Sequence, residues 1–141
     1  MQIMTFHLVE GAYAVELSTV VEVLRSGAKG DALGKSRSAR LLPVFDLAER
    51  LGVPGSAVEG APALVLRGRG REVGVRVDRL GEVRDVADDH IYGLPRYFAS
   101  PLLRAVAEVD DTLVVLLDTD GLVAAFPDGE LATAEPNREP S

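Results

Sequence analysis

The chain has 141 residues, of which 47% are hydrophobic, and a formal net charge of −7 at pH 7. These values predict a globular protein with a substantial core and exclude an intrinsically disordered chain. The negative charge argues against nonspecific nucleic-acid binding, which depends on a basic surface. The absence of cysteine excludes disulfides, thiolate zinc sites and thiol nucleophiles. No apolar run reaches the roughly 18 to 20 residues of a membrane-spanning helix, and the opening residues MQIMTFHLVEG lack the basic region of a secretory signal, so we expect neither feature.

The start of the chain predicts short strands. Residues 2–9 alternate polar and apolar side chains, and AYAVEL continues the pattern after Glu10-Gly11, which predicts a hairpin turned at that dipeptide. Residues 19–24, TVVEVL, predict another strand or a bend leading into one.

A buried strand and one helical turn follow. LLPVFDL, residues 41–47, predicts the strand, and Pro43 implies an edge position or a bulge because proline cannot donate to a ladder. DLAERL then ends at Gly52 and predicts a single helical turn capped by Asp46. Residues 52–62 are rich in turn formers and predict the boundary between two halves.

The second half of the chain predicts two further hairpins. In ALVLRGRGREVGVRVD, the segment RGRGR at residues 67–71 predicts a turn with solvated arginines in preference to an RNA-binding fragment. Residues 81–86 predict a strand, and AVAEVDDTLVVLLD predicts a hairpin that turns at Asp110-Asp111. LVAAF predicts a short closing helix or strand. Residues 127–141 are acidic and contain prolines, which predicts a disordered tail.

The two halves share a pattern at two different offsets. Sixty residues separate the first set, in which Val15, Leu17, Val20, Glu22 and Val23 match Val75, Val77, Leu80, Glu82 and Val83. Seventy-two residues separate the second set, in which Leu42, Val44, Phe45 and Asp46 match Val114, Leu116, Leu117 and Asp118. Such self-similarity predicts two related β modules in tandem. Together with the evenly spaced short strands, it predicts an all-β fold of two packed barrels or sheets.

Metal and catalytic sites find little support in the sequence. His90 lies beside Asp88 and Asp89, but a metal-binding loop needs regularly spaced oxygen ligands and a turn glycine, so a solvated loop is the better interpretation. His7 alternates with apolar neighbours and is interpreted as a half-buried or surface strand residue.

Three aspartates, Asp46, Asp78 and Asp118, each follow an apolar strand. A buried, close pair of them would be able to do acid–base chemistry. Their matched positions instead favour one structural role, which is to cap or turn the chain at a strand end. No nucleotide-binding glycine loop, serine elbow or zinc pattern is present. We therefore expect no enzymatic activity, no cofactor and no metal.

Four segments, in order, resemble the CheW-like domain, the adaptor module of bacterial chemosensory arrays. FHLVEGAYAVELSTVVEVLR resembles the family's opening hairpin and its V-x-E-V element, and LLPVFDLAERLG resembles its I-V-P-V-I-D-L segment. REVGVRVDRLGEVRDV resembles V-G-x-x-V-D-x-V-x-E-V, and DDTLVVLLDTDGLV resembles the closing L-x-x-L-L-D segment. The match covers roughly residues 4–125, and we expect the domain to occupy residues 1–126.

The resemblance implies two five-stranded, SH3-like β-barrel subdomains with an apolar groove between them. We expect subdomain one to take about residues 14–55 plus the chain ends, and subdomain two about residues 61–120. It also implies a non-catalytic, cytoplasmic adaptor in chemoreceptor clusters, linking the tip of methyl-accepting receptors to the histidine kinase CheA. Other CheW-like proteins are further expected partners, whereas nucleic acid and membrane insertion are not.

The same resemblance implies a receptor-binding groove. The expected groove residues are Val20, Glu22, Val23, Val75, Val77 and Leu80. Because side chains alternate along a strand, only a subset can face the groove while the rest are core. Glu22 and Glu82 are either rim charges that set the orientation of the partner or plain solvent-facing positions.

The chain departs from the family pattern just before LLPVFDL. Family members carry a turn with prolines and then G-V-I-N-L-R-G, whereas this chain is about eight residues shorter and has Ser38 and Ala39 where the Arg-Gly pair is expected. The stretch Arg37, Ser38, Ala39 and Arg40 is therefore interpreted as a divergent kinase-contact region in a truncated first subdomain. This divergence predicts a protein that binds receptors but whose coupling to CheA is weakened or lost. Such a protein resembles the short receptor-side variants of the gliding-motility Frizzy system. The alternatives are a full receptor-to-CheA coupling protein and, from another class, a carboxylate-based hydrolase.

Overall fold

A computed structural model describes residues 1–24, 33–35, 41–55, 60–96 and 100–126. The strands are β1 (Gln2–Leu8), β2 (Gly11–Glu16), β3 (Val20–Leu24), β4 (Leu33–Lys35), β5 (Leu41–Asp46), β6 (Ala63–Gly68), β7 (Arg71–Arg76), β8 (Arg79–Asp85), β9 (Ile91–Tyr92), β10 (Leu103–Val109) and β11 (Thr112–Leu117). The helices are α1 (Leu47–Leu51) and α2 (Thr119–Ala124), with 3-10 turns at Leu17–Thr19 and Asp88–His90. In this described part of the chain, no helix is long and apolar enough to cross a membrane.

The strands form two sheets. Sheet one has the order β8-β1-β2-β11-β10-β9, and sheet two has the order β3-β6-β7-β5-β4. Neighbouring strands are antiparallel except for the parallel pairs β2–β11 and β5–β7. The predicted all-β fold class is confirmed.

The sequence repeat reappears in the antiparallel pairing of the strands. Val23 pairs with Leu64 in sheet two. Val83, sixty residues after Val23, pairs in sheet one with Met4, sixty residues before Leu64. The same rule relates the pairing of β6 with β7 to that of β1 with β2. The repeat therefore extends through the first two strands of each half, beyond the positions recognised in the sequence.

The parallel pair of sheet two and the parallel pair of sheet one are related by both offsets of the repeat. Val44 pairs with Gly74 in sheet two, and Leu116 pairs with Ala14 in sheet one. Leu116 lies seventy-two residues after Val44, and Ala14 lies sixty before Gly74. The two sheets are thus equivalent strand for strand, apart from β9, which adds a sixth strand to sheet one.

Each sheet mixes strands from both repeats. The first two strands of one repeat pair with the later strands of the other, so β1 and β2 lie with β8, β10 and β11, while β6 and β7 lie with β3, β4 and β5. The sheets therefore do not coincide with the expected segments 14–55 and 61–120. The sequence repeat shows that the chain contains two related segments. It does not show which strands of the two segments pair within one sheet.

All three predicted hairpins are present. The first turn is shifted by one residue, because β1 ends at Leu8 and β2 begins at Gly11, which leaves Val9-Glu10 in the turn. Arg69-Gly70 and Asp110-Asp111 both have positive φ at their two residues. Positive φ at both positions is the backbone of a type I′ turn, whose twist matches that of the flanking strands.

Pro43 lies where β5 is paired on one side only, as expected of an edge position, because residues 41–43 pair with β4 and residues 44–46 pair with β7. The strand β5 lies between β7 and β4, and both of its pairings keep a regular register. The pairing with β7 begins at Val44, one residue after the proline. The missing N–H of Pro43 therefore interrupts no pair on that side, which allows the proline inside the sheet.

Both helices begin at an aspartate, as the repeat predicts. Asp46 Oδ1 accepts a hydrogen bond from the backbone N–H of Ala48 at 3.1 Å, and Asp118 Oδ1 accepts one from that of Gly121 at 2.9 Å. Gly52 ends α1 in the left-handed region, with φ of 73°. The predicted capping role of Asp46 is confirmed.

Two clusters of buried side chains form the core. A shared core unites both sheets with both helices and contains Phe6, Leu8, Val15, Leu47, Ala48, Leu64, Leu66, Val73, Val75, Val77, Leu117, Leu122, Val123 and Phe126. A second core belongs to sheet one and its flanks and contains Ile3, Ala14, Val86, Ala105, Ala107, Val114 and Leu116. One face of sheet one therefore packs on the rest of the domain, and its other face encloses a core of its own.

Candidate partner-binding surface

The expected receptor-contact residues lie where the chain crosses between the sheets. The 3-10 turn Leu17–Thr19 carries the chain from β2 of sheet one to β3 of sheet two. Val77 and Asp78 carry it from β7 of sheet two to β8 of sheet one. Because Leu17 and Val77 are equivalent in the repeat, the two crossovers are equivalent as well. The strands that follow them, β3 and β8, are edge strands among the described residues.

Three apolar residues among the six expected ones are half-buried at this junction. Val20, Val23 and Leu80 pack against the shared core, so each is held on its inner side and open to solvent on the other. Val20 pairs with Leu66 and Leu80 pairs with Phe6, and both partners are fully buried. The structure therefore brings residues from distant parts of the sequence together around one apolar cluster.

Val75 and Val77 are core residues and not contact residues. Their exposed fractions are 0% and 1%, and both belong to the shared core. A partner cannot reach these side chains in the folded protein. The strand that holds Val75, β7, lies between β6 and β5, and Val73, Gly74 and Val75 are buried in succession. In such a covered strand the alternation between the two faces no longer separates surface from core.

Two exposed valines lie on the same two edge strands. Val21 is 39% exposed and Val83 is 47% exposed. Val83 is the repeat equivalent of Val23, so the repeat itself carried a signal for it, whereas nothing in the sequence separated Val21 from its neighbours. We call Val20, Val21, Val23, Leu80 and Val83 the junction surface.

Charged side chains accompany the junction surface on both strands. Glu22 is half-buried on β3. Glu82, its equivalent on β8, has a 69% exposed side chain that accepts a hydrogen bond from Arg84 Nη1 at 3.3 Å. Both carboxylates follow the apolar crossover residues by the same interval.

A bulge shapes β8 at this point. The pairing of β1 with β8 shifts register around Thr5, whose Oγ1 accepts a hydrogen bond from the Glu82 backbone N–H at 2.8 Å and donates one to the Glu82 carbonyl at 3.1 Å. A Cβ at Gly81 would overlap Thr5, so the close approach requires glycine. The pairing of β3 with β6 shifts at the equivalent place. Bulges bend an edge strand and re-aim its side chains, so both edges turn in the same way.

The three aspartates considered for acid–base chemistry lie at three different strand ends. Asp46 and Asp118 accept hydrogen bonds from the first turns of α1 and α2. Asp78 lies in the crossover after β7, and its backbone N–H donates to the His7 carbonyl at 3.1 Å. The first two carboxylates thus have the structural role that the repeat predicts, which weighs against a hydrolase built on these residues.

The histidine positions offer no recognisable site. Asp88, Asp89 and His90 form an exposed 3-10 turn, and the described residues contain no group of three or more side chains placed to hold a metal ion. His7 lies half-buried on β1, and its Nδ1 has no hydrogen-bond partner.

The expected kinase-contact residues Arg37, Ser38, Ala39 and Arg40 lie outside the described residues. What the structure does describe nearby is β4, which has three residues, whereas its equivalent β10 has seven. The expected tail, residues 127–141, lies outside the described residues as well.

A cavity of about 280 Å³ shares no lining residue with the junction surface. Its lining consists of Phe45, Asp46, Glu49, Arg50 and Phe126. The rings of Phe45 and Phe126 stack with 4.4 Å between centroids, and the guanidinium carbon of Arg50 lies 5.1 Å from the Phe126 centroid. Sequence reasoning missed this cavity because Phe126 is distant in sequence from the other lining residues.

Comparisons with known proteins agree with this geometry. The chain is similar to the crystal structure of the scaffolding protein TtCheW from Thermoanaerobacter tengcongensis, with a TM-score of 0.70 and 21% sequence identity over 83% of this chain and 88% of that chain. At this identity the likeness shows the fold alone. No curated protein sequence gives a significant match. The family model of the CheW-like domain matches residues 2–126, and the chain therefore belongs to the CheW-like domain family.

Proposed function

We propose that this chain is a non-catalytic adaptor of bacterial chemosensory signalling that binds the cytoplasmic tip of methyl-accepting receptors through the junction surface. Family membership supports the adaptor role. The observation that carries the binding site is the half-burial of Val20, Val23 and Leu80 on two edge strands that meet one core.

Supported apolar side chains suit an adaptor that binds a helical partner. A partner anchor gains most of its binding free energy where the groups it contacts are well packed and shielded from water. Val75 and Val77 lie in the core against which Val20, Val23 and Leu80 pack, so these three contact groups are held in place before binding. An amphipathic helix docks by inserting apolar anchors of this kind, and Glu22 and Glu82 would set its orientation.

We further propose that coupling to the kinase CheA is weakened or lost. The support is the shortened sequence between Glu22 and Pro43 and the divergent stretch Arg37 to Arg40. A protein that couples receptor and kinase fully is the alternative.

A paired titration separates the two possibilities. The fluorescently labelled full chain is titrated with a receptor-tip fragment and, separately, with the regulatory domain of CheA. The proposal expects saturable receptor binding and kinase binding that is weaker by at least about tenfold. Equal affinity for both partners supports the full coupling protein, and the absence of receptor binding at high micromolar concentration contradicts the adaptor proposal.

A further inference from the structure

The shared-core face of sheet one continues beyond the part that is covered. Cross-strand partners lie on the same face of a sheet. One register row crosses all six strands of sheet one and consists of Leu80, Phe6, Tyr13, Val115, Val106 and Tyr92. Phe6 is fully buried in this row, Val115 and Val106 are half-buried, and Tyr92 at the far strand is 45% exposed. The row is therefore apolar throughout but covered only over part of its length.

The next row makes this uncovered part wider. Leu113 on β11 pairs with Glu108 on β10, two residues after Val106 and on the same face. Glu108 Oε1 accepts a hydrogen bond from the hydroxyl of Tyr92 at 2.9 Å, which joins the two rows. Leu113 is 64% exposed. We call Tyr92, Val106 and Leu113, with Glu108 between them, the outer patch.

The surroundings of the outer patch are acidic. Asp89 lies close enough to Tyr92 for its charge to contribute to the raised pKa of the phenol, after the larger effect of the Glu108 hydrogen bond. Asp110 and Asp111 form the turn that leads into Leu113, and both are exposed. Asp110 is paired with Arg84, whereas Glu108 lies within the patch and adds negative charge beside Tyr92.

We propose that the outer patch is a second docking surface, and that it binds a partner segment carrying an apolar anchor flanked by lysine or arginine. Large exposed apolar side chains rimmed by charge mark interaction sites. The acidic rim selects a basic partner through charge complementarity. A second copy of this chain brings the same acidic rim and a net charge of −7, so it is a poor occupant. The outer patch is separate from the junction surface, and this inference does not depend on receptor binding.

Helical peptides test the proposal. The probe is a fluorescein-labelled amphipathic helix of about 14 residues made of leucine and lysine, and its control replaces every lysine by glutamate. We expect the lysine helix to shift amide resonances of β9, β10 and β11 in the full chain. Leu113→Ser should weaken its binding by at least about fivefold, because it removes the most exposed apolar group of the patch. Asp89→Asn, which keeps the apolar groups, should weaken it at low salt.

Ala124→Ser is the control, since it changes an exposed apolar residue of α2 that belongs to neither surface and should leave peptide affinity within about twofold. Binding of the receptor-tip fragment is measured with the Leu113→Ser protein and is expected to be unchanged, so failure of this proposal is distinguishable from failure of the receptor proposal. The inference is overturned if the lysine helix does not bind, if the glutamate helix binds equally, if Leu113→Ser binds like the wild type, or if the shifted amides lie elsewhere.

Discussion

Arg84 on β8 and Asp110 in the β10–β11 turn form an ion pair with 2.8 Å between Nη2 and Oδ2. In the order of sheet one, β8 lies at one end and β10 near the other, so the contact joins opposite ends of the sheet. Val86, directly after β8, is buried in one cluster with Ala105 and Ala107 of β10. Sheet one therefore curls until its ends meet and encloses its own core as a barrel.

This ion pair is expected to stabilise the closed barrel weakly and in a salt-dependent way. Arg84→Ala and Asp110→Ala should each lower the free energy of unfolding slightly at low ionic strength, and the double variant should lower it by less than the sum. Both side chains reach solvent, so the coupling should shrink as salt screens the charges. Urea unfolding of the four proteins at low salt and at about 1 M NaCl measures the coupling. A coupling that is unchanged by salt contradicts this view.

The two helix caps should contribute alike, because they occupy equivalent places in the repeat. Asp46→Ala and Asp118→Ala each remove the acceptor for a backbone N–H in the first helical turn, and each should lower the free energy of unfolding by about 1 kcal/mol. Asn at either position retains an acceptor and should cost less. Chemical denaturation measures the free energy of unfolding of all four variants. A decrease at only one of the two sites would show that the two caps do not contribute equally to stability.

Val75 and Val83 should respond differently to the same truncation. Val75→Ala opens a gap in the shared core and should lower the free energy of unfolding by on the order of 2 kcal/mol. Val83 is 47% exposed, so Val83→Ala should change stability by less than about 0.5 kcal/mol while weakening receptor binding. Thermal unfolding and receptor titration of both variants check this, and equal destabilisation would place Val83 in the core.

Tyr92 should titrate above its ordinary pKa of 10.0. Its hydroxyl donates to Glu108, and this bond, followed by partial burial and the nearby charges of Glu108 and Asp89, raises the pKa. The fold thus favours protonated Tyr92, so the small stabilisation is present below the ordinary pKa and lost as the pH rises through the raised one. Tyrosinate absorbance, taken as the difference between wild type and Tyr92→Phe, measures the pKa. Glu108→Gln should move it back towards 10.0, and no movement would exclude the bond as the cause.

The strands and caps were predictable because they depend on local signals. Alternation located the hairpins, and Asp46 with Gly52 marked both ends of α1. The exchange of strands between repeats was not predictable, because the local sequence pattern makes β1 and β6 equally suitable partners for β3. Tertiary pairing alone decides between them.

The candidate site was predictable only in part, for a similar reason. The family resemblance predicted Val20, Val23 and Leu80, which lie beside the crossovers that the repeat relates. The repeat did not distinguish Val75 from Val83, because each is a valine at a repeated position. Val75 matches Val15, and Val83 matches Val23. The difference lies in their strands: β7 is covered on both faces and β8 is an edge.

We propose that receptors bind the junction surface. The most direct test of this proposal is a titration, followed by fluorescence anisotropy, of a labelled receptor-tip fragment with wild type, Val23→Ala and Leu80→Ala, with Val9→Ala as control. Val9 is 54% exposed on the β1–β2 turn, outside the junction surface. We expect saturable binding to the wild type and to Val9→Ala, and a loss of about 1–4 kcal/mol of binding free energy for each junction variant while it stays folded. No binding at high micromolar protein, or equal affinity for all four proteins, would contradict it.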